Sequence, residues 1–105
     1  MMSTLNAPYP PLELANRVSS LAGSEDPMVE FDRSGSEEKQ ALLKLLPPGW
    51  SFCGKRVLDF GCGSGRTLRH FLSEAEQGEF WGADIDSLSI DWLECNLSPP
   101  FHLDP

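Results

Sequence analysis

Apolar residues recur with a helical period through the first part of the chain, run strand-like at Val57, and return to a helical period after Thr67. Leu14, Val18 and Leu21 fall at i, i+4 and i+7, which predicts a helix over about 11–22 that Gly23 ends. Residues 1–11 ahead of it are polar and carry Pro8, Pro10 and Pro11, an extended lead-in. Residues 24–35 hold no sustained period and read as loop. A second helix is predicted from about Ser36 to Leu46, with Ala41, Leu42, Leu45 and Leu46 on its apolar face. Ser34 is its candidate N-cap, with Glu37 three residues on as the capping-box partner. Pro47-Pro48-Gly49 stops it, and Trp50 and Phe52 follow in a connector.

Val57, Leu58 and Phe60 then supply the β-branched and apolar bulk of a buried parallel strand. Gly61, Gly63 and Gly65 follow at every second position. A backbone without Cβ takes positive φ and lets a ligand come close to the main chain. Leu68, Phe71, Leu72 and Ala75 recur at i, i+3, i+4 and i+7, the clearest amphipathic helix of the chain, with Gly78 as its stop. Its opposite face carries Arg66, Arg69, His70, Ser73 and Glu74 and is expected to be solvated. Phe80–Ile85 reads as a second strand, making a right-handed βαβ unit. A further helix starts near Ser87, shows Leu88, Trp92 and Leu93 on one face, and ends at Ser98-Pro99-Pro100. His102 falls in a tail.

Composition narrows the function without choosing it. The chain of 105 residues is 40% hydrophobic and 23% charged, the mixture of one globular domain. Its net charge of −8 argues against general nucleic-acid binding, because phosphate contacts need a clustered positive field. The 3 cysteines form no C-x-x-C pair, so neither a disulfide framework nor a metal site is indicated. No apolar run approaches a membrane span and no secretory signal is visible, so a cytoplasmic protein with reduced thiols is the expectation. Cys62 stands between glycines with no partner base in view and is expected to pack rather than react.

Asp59-Phe60-Gly61-Cys62-Gly63-Ser64-Gly65, a strand-borne acid followed by alternating glycines and a helix, resembles motif I of the class I S-adenosylmethionine (SAM)-dependent methyltransferases. Trp81-Gly82-Ala83-Asp84-Ile85 is similar to the family's second-strand pattern, and the likeness covers about residues 34–97. It implies an α/β fold, the N-terminal part of a Rossmann-like doubly wound sheet built as helices followed by β-α-β-α. It also implies a division into an N-terminal extension (1–33) and an incomplete SAM-binding domain (34–105). SAM is the implied cofactor, held by Asp59, Gly61, Cys62, Gly63, Gly65, Asp84 and Ile85. Asp84 would accept hydrogen bonds from the ribose diol. Asp59 would shape the loop and hold the methionine amine, directly or through water, or else bond the loop amides alone. The helices before the first strand suit a lid, with Arg17 or Arg33 as a candidate partner of the methionine carboxylate.

The activity implied is methyl transfer to an acceptor whose identity, like the oligomeric state, the sequence leaves open. Ser98-Pro99-Pro100-Phe101 matches the tetrapeptide with which amino-group methyltransferases grip their target nitrogen. It follows a helix rather than the family's fourth strand, so it is read as a helix stop. No catalytic residue is assigned. Two strands are identifiable, and the first has no neighbour on one side, so the chain is expected to be part of a longer enzyme, marginally stable and inactive alone. The alternatives are a non-catalytic SAM-binding or interaction module and a nicotinamide-dependent oxidoreductase. The second is disfavoured because Arg66 stands where a dinucleotide loop has its third glycine, and because Asp59, Asp84 and Asp86 suit a cation better than a pyrophosphate.

Overall fold

The computed structural model describes residues 7–18, 21 and 23–104. Part of the first predicted helix (19, 20 and 22) and most of the lead-in (1–6) lie outside them. The chain forms α1 (Leu12–Val18), α2 (Pro27–Leu43), β1 (Arg56–Phe60), two 3₁₀ turns (Leu68–Phe71 and Glu74–Glu76), β2 (Glu79–Ala83), α3 (Ser87–Asn96) and β3 (His102–Asp104). The three strands make one parallel sheet in the order β1-β2-β3, a small α/β fold. Val57 pairs with Phe80, and Asp59 with Gly82, which in turn faces Leu103.

Alternation along the strands separates two faces. Val57, Phe80 and Leu103 join the main core with Leu68, Phe71, Ile90, Leu93, Leu97 and Phe101. Gly82 lies on this covered face, where a Cβ would crowd the side chains of Leu68 and Cys62. The opposite face carries Leu58 and Phe60, which are 58% and 86% exposed. Helices therefore cover one side of the sheet among the described residues, whereas a doubly wound sheet has both sides covered.

Four sequence expectations are corrected. Residues 27–35 are helix, not loop. Asp26 is the N-cap, its carboxylate accepting the Val29 amide at 3.3 Å, and Pro27 opens the first turn. Ser34 is accordingly inside α2, where its hydroxyl donates to the Phe31 carbonyl, and α2 ends at Leu43 rather than Leu46. Gly35, the last residue of the stretch read as loop, is an approach point: a Cβ there would collide with the backbone carbonyl of Arg66.

The amphipathic helix expected after the glycine loop is two 3₁₀ turns instead. The His70 carbonyl, which a continuous α-helix would offer to the Glu74 amide, accepts the Lys39 ammonium at 2.8 Å. Lys39 also bonds the Glu74 carboxylate, so α2 ties the segment off mid-course. The tail holding His102 is a third strand, with the His102 ring stacked on Trp81 at 4.9 Å. Ser98-Pro99-Pro100 does end α3, and Phe101 behind it is buried in the core.

The fourth correction concerns Arg69 and His70, which are buried rather than solvated. The Arg69 guanidinium donates to Asp32 of α2 at 3.2 Å and to the carbonyls of Ala7 and Pro8, and it lies over the Tyr9 ring. His70 stands 3.6 Å from the same carboxylate, and burial holds its pKa below the ordinary imidazole value. Removing one partner of a buried ion pair strands the other charge, at a cost of about 3–5 kcal/mol. Arg69→Leu is therefore expected to lose most of the chain's stability in urea titration. Arg69→Lys is expected to recover little, because an ammonium lacks the fork that reaches Asp32 and two carbonyls together. A midpoint unchanged in either variant would show that the pair is dispensable.

Candidate functional site

The chain leaves β1 at Phe60 and turns through Gly61, Gly63 and Gly65, with φ of 80°, 56° and 88°. No other residue type takes this run of left-handed conformations readily. The turn is tied to the end of β2. The Gly61 and Cys62 amides donate to the Ala83 carbonyl at 2.7 and 3.1 Å. The Gly63 amide donates to Asp84 Oδ2 at 2.8 Å, and the Asp86 amide to Asp84 Oδ1 at 2.8 Å. Asp84 thus buckles the glycine loop to the start of α3. Each carboxylate oxygen has a second lone pair, so acceptor capacity remains after these bonds.

The three glycines are not equally open. A Cβ on Gly61 would meet nothing within 4 Å. One on Gly63 would strike the Val18 side chain, and one on Gly65 would come within 3.0 Å of Leu93. α1 thus rests on the middle of the loop, pinned by the Ser64 hydroxyl donating to the Leu14 carbonyl at 3.1 Å. Arg17 of α1 reaches Asp86 at 2.8 Å and Glu13 at 3.0 Å. Arg33 is likewise engaged, by Glu30 and Glu37 on the exposed side of α2. Both arginines expected near a ligand carboxylate are thus taken up by carboxylates of the chain.

Two cavities meet at Gly61. The first, about 360 Å³, lies between α2 and β1; Asp59, Gly61, Cys62 and Arg66 line it together with Glu38 and Leu42. The second, about 290 Å³, is bounded by Phe60, Gly61, Ala83, Asp84 and Ile85. Of the residues predicted for the cofactor, Asp59, Gly61 and Cys62 therefore share one hollow, and Gly61, Asp84 and Ile85 the other. Gly63 and Gly65 border neither and shape the turn from within. Glu38 and Arg66 are the charged lining residues that the sequence did not offer. Arg66 is missed because a helix was expected from Thr67 with Arg66 on its polar face; here it belongs to the loop itself.

Electrostatics mark the first cavity. Burial raises the Asp59 pKa; Arg66 opposes the rise, while Asp84 and Glu38 add to it. Among the described residues Asp59 has no hydrogen-bond partner. Its half-buried carboxylate is an acceptor short of a donor, which is where a cation would be stabilised. Burial pushes the Cys62 thiol up to about 12, with Asp59 and Asp84 adding to the effect, so it is protonated and packs as expected. Among the described residues no group of three or more His, Cys, Asp or Glu is placed to hold a metal ion. None of the described helices is long and apolar enough to cross a membrane.

No protein-family model matches the chain, and a search of curated proteins finds no match either.

Two outcomes follow from this geometry. A carboxyl whose pKa rises on folding binds its proton more readily in the folded chain. Its ionisation then costs stability as pH climbs from the unfolded value, about 3.9, through the folded one. Asp59→Asn is therefore expected to melt above the parent at about pH 7, with the advantage shrinking toward about pH 4. An advantage that grows on acidification would contradict the assignment. The second outcome concerns the thiols. Iodoacetamide on the folded chain is expected to modify the exposed Cys53 and Cys95 and spare Cys62. Mass spectrometry counts the adducts, and rapid labelling of Cys62 without denaturant would show its cover to be absent.

Proposed function

We propose that this chain binds S-adenosylmethionine as the cofactor-holding, N-terminal part of a Rossmann-like class I methyltransferase. The observation that carries the reading is the half-buried Asp59 carboxylate, short of a hydrogen-bond donor, beside the open backbone of Gly61. A ligand bearing a sulfonium and an ammonium against one carboxylate suits that deficit, whereas a pyrophosphate opposes it. The parallel β1-β2 pair, the glycine turn between a strand and the 3₁₀ segment, and an acid at the end of β2 support the same reading.

The residues present fit such a ligand. Asp59 would take the ammonium, Gly61 would admit the ligand against the main chain, and Cys62 supplies packing beneath. Asp84 has acceptor capacity for ribose hydroxyls beyond its two backbone bonds, and Ile85 offers apolar cover beside it. Gly63 and Gly65 hold the turn that presents these groups. When bound, the cofactor supplies an electrophilic methyl group for in-line displacement. The protein's part is to hold the adenosyl and amino-acid ends so that this methyl is aimed and water is kept away. α1 and α2 roof the loop and the first cavity, which suits exclusion of solvent. A cytoplasmic setting fits the three free thiols.

Calorimetric titration with S-adenosylhomocysteine and, separately, with NADH tests the reading. Heat with the former and none with the latter is expected. Binding of NADH alone would replace the methyl-donor assignment by a nicotinamide one.

A further inference from the structure

The polar residues lining the α2–β1 cavity are unevenly matched. Asp59, Glu38 and Arg66 line it among apolar groups such as Leu42, Val57 and Phe71. Arg66 is close enough to favour the ionised form of Asp59, while Glu38 disfavours it. The other arginines of the described chain are engaged: Arg17 with Glu13 and Asp86, Arg33 with Glu30 and Glu37, Arg56 with Glu79 at 3.8 Å, and Arg69 with Asp32. Arg66 forms no salt bridge among the described residues. Its backbone is held in place, because α2 crosses at Gly35 directly against the Arg66 carbonyl. A half-buried guanidinium on a fixed backbone, lining a cavity with two carboxylates, presents both signs of charge at one hollow.

A zwitterion satisfies both signs. We infer that Arg66 is the carboxylate-binding residue of this site, taking the α-carboxylate of a ligand's amino-acid moiety while Asp59 takes its ammonium. The inference rests on the methyl-donor reading above and adds a selection rule to it. The cavity distinguishes an adenosyl thioether with an intact amino-acid tail from one without. A guanidinium can grip a carboxylate through two parallel N–H bonds, which a point charge cannot do.

Two thioethers separate the inference from the reading on which it rests. S-Adenosylhomocysteine carries the amino-acid tail, and 5′-methylthioadenosine has the same nucleoside and sulfur without it. Both are titrated calorimetrically into the full chain, into Arg66→Gln and into Arg66→Lys. The glutamine variant is expected to lose about tenfold or more in affinity for S-adenosylhomocysteine, the loss expected for one charge-assisted pair. Its affinity for 5′-methylthioadenosine is expected to stay within about twofold of the parent's, which also shows that the variant is folded. The lysine variant keeps the charge and is expected to fall between the other two. Equal losses for both thioethers in both variants, or no loss for either, would overturn the role of Arg66 and leave the adenosyl site standing. A parent chain that binds neither thioether would remove the site and the inference together.

Discussion

A guanidinium buried to 1% exposure needs partners from the protein, and Arg69 draws them from separate parts of the described chain. Its partners come from places far apart in sequence: the carbonyls of Ala7 and Pro8, the Tyr9 ring, and the Asp32 carboxylate of α2. Through Arg69 the N-terminal segment and α2 are drawn onto the segment that follows the glycine turn. Gly35 lets α2 close the remaining distance to the Arg66 carbonyl. Once those contacts are made, α2 overhangs β1, and the hollow between them acquires Asp59 and Arg66 on one side and Glu38 on the other. The candidate site thus shares α2 with the contacts that Arg69 makes through its two terminal guanidinium nitrogens.

What was legible in the sequence is what local chemistry decides. Val57, Leu58 and Phe60 announce a strand, three alternating glycines announce a turn with positive φ, and Ser98-Pro99-Pro100 announces the end of α3. Each of those signals lies within a few residues of its consequence. The errors have long-range causes. Gly35 falls in a stretch read as loop until the Arg66 carbonyl is placed against it. Leu68, Phe71, Leu72 and Ala75 promise an α-helix until Lys39, from α2, takes the His70 carbonyl. Arg69 belongs in water until Asp32, 37 residues away, is brought beside it. The start of α2 does have a local signal, since Asp26-Pro27 places a cap and a first-turn proline in adjacent positions. β3 leaves little trace in the sequence because it is three residues long and both His102 and Asp104 lie on the exposed side.

The two faces of the sheet tell different stories about β1. Val57 and Asp59 are half-buried beneath α2 and the 3₁₀ segment, while Leu58 and Phe60 face outward with much of their surface in water. Side chains of that kind on both faces belong to a strand with cover on both sides. β1 also lies at the edge of the sheet, with backbone groups unpaired along its outer side. Its outward apolar residues and open edge leave β1 with surface that the described contacts do not cover, although it pairs with β2 along its length, carries Asp59 and launches the glycine turn.

The strongest chemical discrimination comes from the sign of the charge around Gly61. Gly61 is the loop position at which a ligand could reach bare backbone, because Val18 and Leu93 close the other two. The carboxylates of Asp59 and Asp84 border the hollows on either side of it, and Glu38 adds a third negative group to the first. A ligand presenting phosphates there would meet repulsion from three carboxylates with Arg66 as the single cation lining either hollow. A ligand presenting a cation close to an adenosine would relieve the burial penalty on Asp59 instead. The glycine turn by itself is indifferent between the two. The choice belongs to the carboxylates around it, and Arg66 then decides what a cationic ligand must carry beside its positive charge.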